Sequence, residues 1–207
     1  MRVKSEAKRQ TILDIATHAF IEQGFNNTSM SEIANRVGGS KSTLYNYFSS
    51  KEEIFSAVMA SSAKTGITDA FESVDLKKDI ETTLNKFGCN YLTSVLSSSL
   101  MAIWRMAISE SERSDIGRLF YVEGPQKGWK QLSHYLSKKM DEGILRKSDS
   151  WICAMHLKGL IEAELFLVAA LGVETAPDAK RIEEAVSRAV TVFLLAYRAE
   201  APRPQTV

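Results

Sequence analysis

Between Ala34 and Ser50 the chain carries no acidic residue. Within that stretch Lys41, Ser42, Thr43, Tyr45, Asn46 and Tyr47 surround Leu44 and Phe48. The six polar residues supply a cation, hydroxyls, an amide and two phenols. Such groups bond to phosphates and to base edges, and threonine adds a methyl for thymine. A carboxylate among them would repel a phosphate backbone. Leu44 and Phe48, four apart, define one apolar helical face, and the six polar side chains are not needed for it.

The elements that must position this face are legible on both sides. Ile12, Ile15, Ala16, Ala19 and Phe20 fall at helical spacing, so one amphipathic helix is expected from Ser5 to Gln23. Gly24 stops it, and Phe25 folds back onto it. Ser29 with Glu32 makes a capping box opening a short helix, Met30 to Val37, with Ile33, Ala34 and Val37 inward. Gly38-Gly39 ends that helix, and Ser40 caps the next, Lys41 to Phe48. Ser50 and Glu53 open a longer helix with Ile54, Phe55 and Val58 inward. Two short helices joined by a glycine turn form a helix-turn-helix, whose second helix enters the major groove. A plain helical hairpin with a polar face fits the same pattern.

Beyond Ser61 the chain stays helical in pattern. The expected helices start near Asp75, Leu100, Asp115, Gln126, Ser150 and Asp178, and the one from Ser150 runs unbroken to Leu171. Four prolines in 207 residues leave few breakers, which favours an all-α fold of about nine helices. The expected domains are a three-helix, homeodomain-like helix-turn-helix over 1–58, a larger helical domain over 59–200, and a disordered tail over 201–207. The net charge is +1, but phosphate attraction is local: Arg2, Lys4, Lys8 and Arg9 face only Glu6 in the first ten residues. That run also suits a solvated helix start.

Other chemistry is poorly supported. His18, His134 and His156 are isolated, without metal-ligand spacing. Cys89 and Cys153 read as core thiols. Gly38-Gly39-Ser40-Lys41 lacks the strand and spacing of a phosphate loop. No catalytic residue, metal or cofactor is expected. A signal peptide and an apolar stretch of membrane-spanning length are both missing. A cytoplasmic protein without membrane partners is expected.

Two features of the later helices bear on partners. Ile182, Val186, Val190, Phe193 and Tyr197 form one stripe, and Leu160 and Val168 lie on the apolar helix before it. Such a pair needs covering, by the chain's own core or by a second copy. Phe87, Tyr91, Met101, Trp104, Phe120, His134 and Phe166 are large, adaptable side chains suited to core or to a small-molecule pocket. Glu162 interrupts the apolar helix: it could face a cationic ligand, pair with Arg105 or Lys158, or lie in solvent.

The run from Ile12 to Val58 resembles the DNA-binding domain of the TetR (tetracycline-repressor) family. The matching residues are Ile12-Leu13, Ala16, Phe20, Gly24-Phe25, Thr28-Ser29-Met30, Ile33-Ala34, Gly38, Ser40-Lys41, Thr43-Leu44-Tyr45, Tyr47-Phe48, Ser50-Lys51-Glu52 and Phe55. The resemblance implies a double-stranded DNA operator read by Lys41, Ser42, Thr43, Tyr45, Asn46 and Tyr47, with Thr28 and Lys51 at phosphate-holding positions. It also implies a homodimer through the last two long helices and a small-molecule effector in the C-terminal domain. A shorter stretch, Glu112-Arg113 and Leu119 to Pro125, resembles a C-terminal subtype that hints at lipophilic or aromatic effectors. Ser42, Gly39 and Asn46 depart from the usual pattern, so the preferred DNA sequence cannot be copied from relatives.

Overall fold

The computed structural model describes residues 5–64, 67–74, 78–174 and 177–199, with 62–64 described by backbone alone. Arg2, Lys4, Gly66, Asp75 and the 201–207 tail lie outside the described residues. The helices are α1 (Glu6–Gln23), α2 (Met30–Arg36), α3 (Lys41–Tyr47), α4 (Lys51–Lys64), α5 (Ile67–Glu72), α6 (Ile80–Val95), α7 (Ser98–Glu110), α8 (Ile116–Glu123), α9 (Pro125–Asp141), α10 (Ser150–Glu162), α11 (Phe166–Ala170) and α12 (Ala179–Tyr197). The all-α architecture is as expected. Among the described residues, the one extended pairing is an isolated bridge between Leu145 and Arg198.

The chain forms two compact units that interleave in sequence. One joins α1–α4 with α7 and α8; the other joins α5, α6 and α9–α12. The expected division at residue 58 placed α7 and α8 with the C-terminal helices, whereas their contacts group them with the helix-turn-helix. Ile103, Met106, Ala107, Ile116 and Phe120 enter the same core as Phe20, Ile33, Leu44 and Phe55.

In the first unit, Phe20, Phe25 and Phe55 form a triangle of rings with centroids 5.3–6.0 Å apart. The fold-back of Phe25 expected from Gly24 is therefore a core contact. In the second unit, α12 packs against α6 and α10. The α6–α12 approach is close because Gly88 has no side chain: a Cβ there would lie 2.5 Å from Val186 Cγ1.

Two expectations change here. Asp79 caps α6, its carboxylate accepting from the Thr82 amide at 2.8 Å. The helix from Ser150 breaks after Glu162 instead of running to Leu171. At the break the Ala163 amide bonds to the Leu160 carbonyl, three residues back rather than four. The flanking carboxylates are held by different partners: Glu162 by Tyr91 and Lys158, Glu164 by Arg188.

Candidate DNA-reading surface and effector region

The turn before α3 is a complete Schellman motif. The Gly39 amide bonds to the Ala34 carbonyl and the Gly38 amide to the Asn35 carbonyl, both at 3.1 Å. Gly38 adopts φ +69°, which a side chain would strain. At Gly39 an added Cβ would meet only Thr43, at 3.9 Å, so the missing side chain costs entropy rather than serving geometry. Gly39→Ala should raise stability by about 0.4–1 kcal/mol, and an unchanged or lower urea midpoint would contradict this.

Ser40 caps α3 through the Thr43 amide at 3.1 Å, and the Thr43 hydroxyl lies 2.9 Å from Ser40 Oγ. Leu44 and Phe48 are buried, as expected. Lys41, Ser42, Tyr45 and Asn46 face outward, with Tyr45 52% exposed.

The remaining three candidates have internal tasks. Thr28 is 1% exposed, and its hydroxyl donates to the carbonyls of Ala19 (3.2 Å) and Gly24 (2.9 Å). Its side chain closes the α1–α2 loop. Lys51 Nζ donates to the Phe25 carbonyl at 2.7 Å and lies 4.2 Å from the Phe25 ring centroid; burial pulls its pKa below the usual lysine value. Tyr47 is half-buried, and its hydroxyl accepts from the Ser5 amide at 3.1 Å. It ties the recognition helix to the start of α1.

Glu110 was not anticipated. This α7 carboxylate is 8% exposed and accepts a hydrogen bond from the Asn26 amide side chain in the α1–α2 loop. Sequence offered no signal, because the two residues are 84 apart.

The proposed effector residues divide between the units. Met101, Trp104 and Phe120 belong to the first, where the Trp104 and Phe120 rings meet edge-on at 5.8 Å. Phe87, Tyr91, Glu162 and Phe166 belong to the second. His134 is exposed on α9 and does not join them. Phe87 stacks on Tyr91 at 5.8 Å, and both meet Phe71 and Trp129, which complete a four-ring cluster. Tyr91 donates to Glu162 at 2.5 Å, and Lys158 closes the other carboxylate oxygen. Of the partners considered for Glu162, Lys158 is the one found. Burial first, then the Glu162 charge, pushes the Tyr91 phenol well above its ordinary pKa.

The dimer candidates need a correction. Ile182, Val186, Val190, Phe193 and Tyr197 are each at most 5% exposed within one chain. They are the inner face of α12, covered by the chain itself, so they cannot meet a second copy. Leu160 and Val168 are half-exposed. The outward apolar residues are others: Ile152 (46% exposed) on α10, Leu167 (63%) on α11, and Val192 (50%) and Leu195 (83%) on α12. On α10 the exposed stripe runs Ile152, His156, Gly159, Ala163, and a Cβ at Gly159 would meet nothing within 4 Å.

Both cysteines are free thiols, raised in pKa chiefly by burial, Cys153 to about 12. Tyr91 is raised as well. In each case the folded chain keeps a proton that the unfolded chain releases first. The stabilisation is therefore complete below the unfolded thiol value near pH 9 and is lost as pH rises. The urea midpoint should fall between pH 8 and pH 10.5, and a flat midpoint would refute the assignment.

A recognition helix held by a Schellman turn over an aromatic core, joined to a second helical unit, defines the class: a helix-turn-helix DNA-binding regulator. The family description "Bacterial regulatory proteins, tetR family" matches residues 12–58, and "AefR-like transcriptional repressor, C-terminal domain" matches 82–199. The chain belongs to the TetR family of transcriptional regulators, a non-enzymatic class. It is 40% identical over 58 residues to the transcriptional activator FasR of Mycolicibacterium smegmatis, covering 28% of this chain and 26% of that protein. It is 24% identical over 137 residues to the regulator YhgD of Bacillus subtilis, covering 66% and 69%. The match to FasR thus spans about a quarter of that relative's length. Among solved structures, the "Flavonoid-responsive Regulator FrrA" superposes with a TM-score of 0.79 at 28% identity, covering 95% of this chain and all of that one. A TetR regulator from Agrobacterium tumefaciens superposes with a TM-score of 0.74 at 24% identity, covering 94% and 96%. No single helix among the described residues is long and apolar enough to cross a membrane.

Proposed function

We propose that the chain is a homodimeric repressor that binds a pseudo-palindromic operator through α3 and is released by a small lipophilic or aromatic ligand in the second unit. The observation that carries this is the outward face of α3: Lys41, Ser42, Tyr45 and Asn46 exposed in an acid-free stretch on a rigidly capped helix. Thr43 and Tyr47 hold α3 through Ser40 and Ser5, and Thr28 and Lys51, at the phosphate-holding positions of the family, flank it from the α1–α2 loop and the start of α4. The open apolar faces of α10–α12 suit pairing with a second copy, which brings two recognition helices to two half-sites. The name of FrrA, a structure covered along nearly the whole chain, supports an aromatic effector. Release requires that the effector bind the DNA-free conformation more tightly. Acting on chromosomal DNA, the protein would work in the cytoplasm.

The test is gel-shift titration against the chain's own upstream DNA. Log affinity should fall linearly with log salt. Lys41→Ala should reduce the slope by about 1, and Tyr45→Ala should weaken binding by about 1–3 kcal/mol without changing helicity. No sequence-selective shift there or on a randomised library would overturn the reading. Unchanged affinity in both variants would show that another surface makes the contacts.

A further inference from the structure

α7 turns one face into the core of the first unit. Ile103, Met106 and Ala107 are buried on it, and Glu110, the next position of the same stripe, is buried with them. An apolar side chain there would extend the core. A carboxylate must instead give up water, which costs free energy unless its surroundings compensate. Those surroundings are the α1–α2 loop. Glu110 accepts from the Asn26 side-chain amide, and its Oε1 lies 2.9 Å from where a Cβ on Gly24 would fall.

Lys51 holds the same loop. Its ammonium donates to the Phe25 carbonyl at 2.7 Å and reaches the Asn26 carbonyl at 3.5 Å. A carboxylate from α7 and an ammonium from the first residue of α4 thus grip one tripeptide, Gly24–Phe25–Asn26. An ammonium has three N–H donors, so these two bonds leave a third. Lys51 stands four residues after Tyr47, the last of the recognition helix. Burial works to strip Lys51 of its proton, and the charges of Glu52 and then Glu110 work to keep it. Glu52 is exposed whereas Glu110 is buried, and salt screens a buried charge much less.

We infer that Glu110 is a positioning residue for DNA binding that acts through Lys51: it draws the ammonium onto the α1–α2 loop and offsets its charge, so the start of α4 holds a phosphate less tightly than an unrestrained lysine would. The inference rests on the DNA-reading role proposed above and gives α7 a part in it. Phosphates carry no sequence information, so the restraint weakens operator and non-specific complexes by the same factor.

The experiment is gel-shift titration of the full chain on its own upstream DNA and on an unrelated duplex of equal length, at about 50 and 200 mM salt. Glu110→Gln keeps an acceptor for Asn26 and removes the charge. It should bind both duplexes more tightly than wild type, and its advantage should shrink about two- to threefold between those salt concentrations, up to the share of one phosphate contact. In a Lys51→Ala background the advantage should vanish. Asn26→Ala removes the loop's hydrogen bond and leaves the charge, so its salt dependence should match wild type. A Glu110 that merely braced the loop would make Glu110→Gln bind no more tightly than wild type, with unchanged salt dependence. Lys51→Ala alone gives a second reading that needs no change at Glu110. Because its charge is already offset, its loss should lower the salt slope by less than half of the about 0.9 that a full contact contributes. Circular dichroism establishes that each variant is folded. Wild-type or weaker binding by folded Glu110→Gln, an advantage that survives Lys51→Ala, or loss of a full contact's slope in Lys51→Ala would overturn the assignment. If wild type shifts its operator selectively while these results fail, this assignment falls alone; if wild type shows no selective shift, the DNA-reading role falls with it.

Discussion

Leu195→Asp should convert the protein to a monomer at micromolar concentration and lower its operator affinity at least a hundredfold. Leu195 is 83% exposed on the outer face of α12, beside Val192 at 50%, so the substitution leaves the chain's own core untouched. In a two-fold interface each change appears twice, on facing surfaces. Burying an unpaired carboxylate costs several kcal/mol per site, more than a half-exposed apolar contact returns. With one recognition helix per particle, the protein keeps the phosphate attraction of one half-site and loses the second. Light scattering reads the mass, circular dichroism the retained helicity, and gel shift the affinity. A variant that remains dimeric with wild-type operator binding would show that α12 faces solvent and that the copies pair elsewhere.

Gly88→Val should destabilise the fold by about 3 kcal/mol, within the upper range of overpacking costs, and lower the melting temperature by roughly 6–12 °C. Helix propensity alone argues the reverse, since glycine inside a helix is worth about 1 kcal/mol less than alanine. The tertiary contact decides the sign. An added Cβ would lie 2.5 Å from Val186 Cγ1 and 3.4 Å from Ile161 Cδ1, and valine's stiff χ1 gives Val186 little room to turn away. A compensating pair tests the cause: Val186→Ala should recover part of the loss in a Gly88→Ala background. If Gly88→Val melts at or above the wild-type temperature, α6 and α12 are not in this close contact.

The helix-turn-helix was legible because its determinants are local. Ser5, Ser29, Ser40 and Ser50 act as caps or capping partners within three or four residues, and Gly38 marks a positive φ. The Ser29–Glu32 pair forms half of its expected box: Ser29 accepts from the Glu32 amide at 3.1 Å, while the Glu32 carboxylate turns to Gln23 and Arg36. Longer-range choices were invisible. Periodicity located the apolar stripe of α12 but could not say whether α6 or a second copy would cover it. The resemblance sets Thr28 and Lys51 at phosphate-holding positions, and the loop between α1 and α2 engages both through its own carbonyls, contacts that local spacing does not announce.

Sequence by itself determined the all-helical class, the position of the recognition helix and its acid-free outward face, because each follows from spacing and capping inside a short window. Tertiary structure alone decided which large side chains share a cluster. It took α7 and α8 to the first unit, broke the helix at Glu162, turned the Ile182–Tyr197 stripe inward, and left Leu195 and Val192 outside. The reason is physical: an apolar side chain specifies that it must be covered, and only the packing of distant helices specifies by what.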